Sequence, residues 1–414
     1  FNSTAFDLGI FDQNVWMFSN GQNFVNTVNG FYPFADHIQP ILYAVALLYK
    51  FAATPLLLLI LQAAAVSLGA IPLYLIARRK LGEKIAVVFA IAYFLYPPTQ
   101  YFTLFDFHTE AFLVTFLLFA MYFLERKSAP WMFTFLFLAG LTKEYIPIIF
   151  IFFAAYTLII QKRVKIAAAA AVIGAAWLFV NYGIILNSYE FTSLHVYAES
   201  YGSAAATATA TPFGIGRIAA VVSGLFSIDK LGYVFLMLLP LAGLPLLGIE
   251  FLTLSIPGFA LVLLKSSTTY KSIITHHTGF ILPFLFAAAV IGFKRAVSIA
   301  GEKKKKLVTA AVIILGIASF VAYGPFTVLY NFDTFNAWSS HAKAGRELVK
   351  MITANADVAV SATTWAVPHL SKRKHIYMFP APFTYLVKAT RRSRLRSGSA
   401  SLLTTLCWTR QERT

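Results

Sequence analysis

The 414-residue chain is 58% hydrophobic, 16% aromatic and 12% charged, whereas a soluble domain is about 25% charged and at most about half apolar. That composition excludes a water-soluble globular enzyme, and equally a disordered chain, which needs low hydrophobicity. The net charge of +17 comes from 34 Lys and Arg against 17 Asp and Glu, but the basic residues gather between apolar runs, which is the topology signal of a polytopic membrane protein and not a nucleic-acid surface.

Residues 1–54 hold a single basic residue, Lys50, together with Asp7, Asp12 and Asp36. Within them the apolar stretch 40–51 is too short to span and predicts a helix lying along the membrane interface. Apolar stretches near 55–77, 84–101, 111–124, 131–142, 145–160, 166–186, 231–248, 251–264, 278–293 and 307–327 approach the roughly 20 residues that a spanning helix needs. The shorter ones predict tilted or broken spans. Basic clusters fall at Arg78-Arg79-Lys80, Arg126-Lys127, Lys162-Arg163-Lys165, and from Lys294-Arg295 to 303–306. If each span crosses once, all four lie on one side, which the positive-inside rule makes the cytoplasm. The other face then receives residues 1–54, the turns at 106–110 and 143–144, residues 187–230 and 265–277, and the chain from 328. A first loop already outside implies a signal-anchor helix before residue 1.

After residue 328 the pattern changes. A helix over 339–353, the Asn355-Ala356-Asp357 turn and strands at 358–361 and 375–379 predict a small α/β unit. Residues 389–414 then carry six Arg, no Lys and Cys407, which reads either as a reading-frame error or as a basic disordered tail. As the single cysteine, Cys407 leaves no intramolecular disulfide and no cysteine metal cluster. The expected organisation is a first extracytoplasmic loop with an interfacial helix (1–54), a transmembrane domain (55–327), an incomplete extracytoplasmic α/β domain (328–388) and an anomalous tail (389–414). The fold class is an all-α polytopic membrane protein of about ten helices with a small C-terminal α/β domain.

Polar groups at a membrane are costly, so their concentration on one face marks a site. In Asp7-Leu8-Gly9-Ile10-Phe11-Asp12-Gln13 two carboxylates stand among apolar residues, where one can act as a general base or a metal ligand. The plainer reading is a helix N-cap and a solvated Asp. Asp36-His37 and Asp106-Phe107-His108-Thr109-Glu110 offer imidazole with carboxylate, a donor set for zinc, or for manganese or magnesium with more oxygen. Taken singly, each His also suits an interfacial hydrogen bond. Lys143-Glu144 interrupts two very hydrophobic stretches and is either a structural ion pair or a phosphate-holding Lys oriented by its Glu. His276-His277 precedes another apolar run and can meet phosphate. Phosphate loops and nucleophile elbows are absent from the sequence, which argues against an ATP-driven pump.

These motifs in order resemble a domain-of-unknown-function family of prokaryotic polytopic membrane proteins grouped with the C-type (GT-C) glycosyltransferases. The resemblance rests on 7–13, Asp36-His37, the stretch from Gln62 to Pro72-Leu73-Tyr74-Leu75-Ile76-Ala77-Arg78-Arg79, Phe107-His108, Lys143-Glu144, His276-His277 through Pro283-Phe284, and Pro368-His369-Leu370-Ser371. It implies sugar transfer on the outer face of the cell membrane from a polyprenyl-phosphate donor to an acceptor. By the same resemblance Asp7 is the catalytic carboxylate, with Asp12 as second choice. Asp36, His37, His108 and Glu110 are metal or second-carboxylate positions, and Lys143, Glu144, His276 and His277 contact the lipid phosphate. The implied partners are membrane lipids and the lipid-linked sugar, without nucleic acid; the implied cofactor is a divalent metal (Zn, Mn or Mg). The alternatives are a multi-pass solute or lipid transporter, which should show repeated halves and midplane charges, and a non-catalytic membrane scaffold.

Overall fold

The computed structural model describes residues 3–189, 227–265, 272–325, 340–354 and 358–381; the tail at 389–414 and most of 187–230 lie outside these residues. Helix α1 (Ile10–Ser19) buries Phe11, Val15 and Phe18 against α3 (Ile41–Tyr49), and the one-turn α2 (Pro33–Asp36) lies between them in the chain. α3 buries Leu42, Val45, Ala46 and Tyr49 while Tyr43, Leu47 and Leu48 face outward, an apolar outer face that suits a lipid interface.

Four helices among the described residues are long and apolar enough to cross a membrane: Pro55–Leu81, Val164–Ser188, Leu282–Ala300 and Glu302–Tyr323. The first comprises α4 (Pro55–Leu68) and α5 (Ala70–Leu81). α6 (Glu83–Leu95) and α7 (Pro97–Leu104) form a fifth candidate bent by 50°. The bend has a local cause, since Pro97 and Pro98 lack amide donors and push Tyr96 into extended backbone. α8 (Glu110–Glu125), α9 (Ala129–Gly140) and α10 (Ile148–Ile159) have 16, 12 and 12 residues, short of the roughly 20 for a perpendicular span. α11 (Val164–Leu178) opens the second long helix.

The stretch expected as a single span at 231–248 is broken instead, and 251–264 falls in one apolar helix shorter than a span, Ile249–Leu263, with a 3-10 turn inside it. α12 (Ile228–Leu238) gives way to tight turns at Leu239–Leu241 and Leu244–Leu247, where Pro240 and Pro245 sit and Ala242 and Gly243 turn left-handed. Next come α13 (Ile249–Leu252) and α14 (Ile256–Leu263), separated by another tight turn. The expected 278–293 span starts later, because His276–Phe280 is a 3-10 turn feeding α15 (Leu282–Ala300). α15 is buried continuously from Leu282 to Phe293 and forms the centre of the main core. A Cβ on Gly292 would stand 1.9 Å from the Leu244 carbonyl oxygen, so glycine is what lets that backbone close on α15.

α16 (Lys305–Tyr323) ends the membrane helices. Beyond it lie α17 (Ser340–Thr353), β1 (Val360–Ala362), α18 (Val367–Leu370) and β2 (Ile376–Met378). The strands pair in parallel, Val360 opposite Ile376 and Ala362 opposite Met378. The buried Arg373 guanidinium donates to the carbonyls of Leu370 (2.9 Å), Val358 (2.9 Å) and Ile352 (3.3 Å), tying these pieces together.

α8 gives the bundle its polarity. Its first residue, Glu110, faces Lys143; its last, Glu125, pairs with Lys80 and accepts from the Tyr156 hydroxyl at 3.1 Å. The sixteen residues of α8 set those ends about 22 Å apart along its axis.

Candidate active site and metal centre

Four short connections meet at the Glu110 end: residues 5–9 ahead of α1, 105–109 between α7 and α8, 142–146 between α9 and α10, and the His276–Phe280 turn. Gln62, fully buried in α4, organises the second of them. Its Nε2 donates to the carbonyls of Phe105 (2.6 Å) and Phe102 (3.1 Å), and its Oε1 accepts the His108 amide at 2.7 Å. The turn is thereby held by a side chain where no helix ladder can hold it.

His108 is fixed from both ring nitrogens. Nδ1 lies 2.9 Å from the Asp106 carbonyl and Nε2 lies 3.3 Å from Asp7 Oδ2. With the Nδ1 proton donated to that carbonyl, Nε2 is the position that either carries a second proton to Asp7 or, without it, offers a lone pair to a metal ion. The Asp106 carboxylate in turn receives the Thr4 amide at 3.0 Å and the Asp7 amide at 3.4 Å. The His108 ring stacks on His276, centroids 3.5 Å apart. His276 Nδ1 is buried and makes no hydrogen bond among the described residues.

One ligand atom from each of Asp7, His108 and His276 lies within 4.8 Å of the other two. A carboxylate with two imidazoles is a donor set for zinc or another divalent transition ion, and three protein ligands leave a position open. The unpartnered His276 nitrogen fits the same demand. Burial, followed by neighbouring His108, His277, Lys143 and Lys265, pushes His276 well below the usual imidazole range, which keeps it in the neutral, ligating form.

Burial raises Asp7, but the His108 imidazole beside it outweighs this and holds the carboxyl below its ordinary value. Burial lowers His108, and the Asp7 charge reverses that into a net rise. Beside this pair, Lys143 Nζ stands 2.5 Å from Glu110 Oε1, both groups buried. Burial would neutralise Lys143, yet Glu110 and then Glu144 keep its value raised. Thr109 bridges the two connections, donating to the Thr142 carbonyl at 2.8 Å and accepting from Gln39 at 2.9 Å. Lys265 adds a further cation, pushed down to about 8 by burial and then by Lys143. His277 is driven well below its usual value by burial, then Lys265 and Lys143.

Several expected positions therefore fall elsewhere than their expected roles. Asp36 accepts from Asn29 at 2.8 Å, His37 pairs with Glu144 at 3.1 Å, and Glu110 is taken by Lys143. None of the three joins the Asp7–His108–His276 group. Glu144 also accepts the Ile38 amide at 3.3 Å, so it braces the first loop while its neighbour Lys143 faces the site. Asp12 is fully buried against Tyr49 (2.7 Å) and Ser371 (2.6 Å), among apolar residues of α1 and α3.

The family model described as Predicted membrane protein (DUF2079) matches residues 1–397. The chain belongs to this family. No curated protein matches it. Among solved structures, it is similar to ArnT from Cupriavidus metallidurans bound to undecaprenyl phosphate, with a TM-score of 0.59, 13% identity, and coverage of 95% of this chain and 85% of that one. The apo state of the same protein gives 0.56, 13%, 94% and 84%. At that identity the likeness concerns the fold alone.

Lys265 and the contacts of Tyr49 and Ser371 with Asp12 had no site role in the sequence, where Gln62 and Asp106 stood only as members of longer motifs. Asp106 and Gln62 carried a signal, a polar residue inside or beside an apolar helix. Ser371 stood in the Pro368–Ser371 motif, but nothing in the sequence pointed to its contact with Asp12, 359 residues away.

Proposed function

We propose that this protein is a membrane glycosyltransferase that moves a sugar from a polyprenyl-phosphate donor to an acceptor hydroxyl at the outer face of the membrane. The observation that carries the reading is the convergence of Asp7, His108 and His276 beside Lys143 at one end of a bundle whose fold resembles that of a protein bound to undecaprenyl phosphate.

In this reading the acceptor hydroxyl meets Asp7. Oδ2 faces His108, and the carboxylate, ionised beside that imidazole, accepts the hydroxyl proton as the oxygen attacks the anomeric carbon. The bond from that carbon to the phosphate oxygen breaks, and the lipid phosphate leaves with the electron pair. Lys143 and Lys265 supply the positive charge of a partly desolvated lining in which a phosphate is favoured, and the neutral imidazoles of His276 and His277 near them can add hydrogen bonds. Glu110 keeps Lys143 protonated and in place. Asp7, His108 and His276 would hold a divalent ion, which supplies Lewis-acid stabilisation of developing negative charge when bound.

The test uses the protein in proteoliposomes with a panel of radiolabelled polyprenyl-phosphate sugars, following lipid-phosphate release with and without EDTA. Asp7→Asn should slow release by about 100-fold or more. A panel in which no donor turns over, or in which Asp7→Asn matches the wild type, removes the proposal.

A further inference from the structure

Asp7 lies in a short segment gripped on both sides by the C-terminal unit. Ahead of it, the Ala5 amide donates to the Thr364 carbonyl at 2.8 Å. The Ala5 methyl is buried with Val367, Leu370 and Ile376. Behind it, Gly9 is pressed so closely to Val367 that a Cβ would stand 2.8 Å from Val367 Cγ1. Gly9 has ordinary helical backbone, φ −63° and ψ −38°, so any residue could adopt the conformation; proximity to a stiff β-branched side chain is what excludes larger ones.

The grip continues along α1. Asp12 receives the Tyr49 hydroxyl from α3 and the Ser371 hydroxyl from the C-terminal unit. Gln13 Nε2 donates to the Arg373 carbonyl at 3.0 Å, and its Oε1 accepts the Thr27 amide at 3.0 Å. Thr27 Oγ1 donates to the Ile376 carbonyl at 2.6 Å and accepts the Ile376 amide at 3.0 Å. Lys372 closes the rim on the Ala53 carbonyl at 2.9 Å. A buried carboxylate served by two hydroxyls and, among the described residues, paired with no cation is an expensive way to glue two surfaces. It does fix direction, because the carboxylate sits where α1, α3 and the C-terminal unit meet.

We propose that the C-terminal unit is a positioning clamp for the site: Ser371 on Asp12 and Val367 on Gly9 set the segment that carries Asp7 and hold its carboxylate at His108. The inference rests on the reading of Asp7 as the reacting carboxylate. Ser371, Val367 and Asp12 are positioning residues; none touches the reacting atoms.

The experiment compares wild type, Ser371→Ala, Gly9→Ala and Gly9→Ala/Val367→Ala in the full chain, with two readouts. One is the kinetics of lipid-phosphate release from a radiolabelled polyprenyl-phosphate sugar. The other is amide hydrogen exchange over residues 3–12, which needs no turnover. Ser371→Ala and Gly9→Ala should lower kcat by about 10- to 100-fold with KM for the donor unchanged, as expected of a displaced reacting group. Exchange at 3–12 should rise in both, and the double substitution should recover kcat and protection together. Wild-type exchange in Ser371→Ala and Gly9→Ala overturns the clamp, as does a loss of kcat that Val367→Ala fails to restore. If the wild type itself turns over no donor, the functional reading falls, and the exchange arm alone decides whether the clamp exists.

Discussion

His108 Nε2 stands 3.3 Å from Asp7 Oδ2 while the same ring stacks on His276 at 3.5 Å. Two imidazoles face to face in a buried site repel if both are protonated, so the arrangement favours a shared charge: one proton on the Asp7–His108 pair, or one metal ion among all three groups. Zinc or manganese titrated into purified protein by equilibrium dialysis should bind at this centre. His108→Ala and His276→Ala should each weaken binding by at least about 100-fold, more than is usual for loss of an outer-shell partner, whereas His277→Ala should bind nearly as the wild type does. Equal binding in all four proteins would move the metal elsewhere.

Lys143 and Glu110 form a buried pair at 2.5 Å with little access to water. Removing one partner leaves the other charged and unpaired, which costs about 3–5 kcal/mol in comparable pairs. Lys143→Met should therefore lower the thermal midpoint in detergent strongly, and Lys143→Met/Glu110→Gln should recover much of it. If the double substitution is as unstable as the single one, the pair contributes nothing as a pair. Donor turnover should remain low in both, since neither restores a cation for the phosphate.

The sequence revealed the helical, membrane-embedded class and several of the polar groups that gather at one end of the bundle, for a simple reason. Apolar runs and intervening charges are one-dimensional signals, and Asp7, His108, Lys143 and His276 each stand out against apolar neighbours. The pairing among them was not legible. Glu110 and Glu144 look equivalent in the sequence, yet one faces Lys143 and the other His37, because the α9–α10 connection turns adjacent residues to opposite sides. Likewise 231–248 is apolar enough for a span, and only the left-handed turn at Ala242 and Gly243 between two prolines explains its break.

Gly292 provides a test of that broken segment. The Leu244 carbonyl oxygen occupies the space a Cβ would fill, at 1.9 Å. Gly292→Ala must push the turn at Leu244–Leu247 off α15, and overpacking of this kind costs about 1–3 kcal/mol. The thermal midpoint in detergent should fall, with a larger fall for Gly292→Val. An unchanged midpoint for both would mean that the two backbones do not approach as closely as described.

Asp12 carries a pH signature of its own. Burial pushes its carboxyl up to about 6, against the lowering by Ser371, Tyr49 and Lys372, from 3.8 in an open chain. The folded protein therefore holds this proton more tightly than the unfolded chain. Stability from this group is fully present below about pH 4 and is lost as pH rises through about 6, a span worth about 3 kcal/mol. Asparagine keeps the shape and stays neutral, so Asp12→Asn should match or exceed the wild type in thermal midpoint near pH 7.5, keep about half of that advantage near pH 5 and lose it near pH 4. Differential scanning fluorimetry across that pH range is the measurement. A wild type that gains on Asp12→Asn as pH rises would mean that the hydroxyls of Tyr49 and Ser371 stabilise the carboxylate more than burial penalises it.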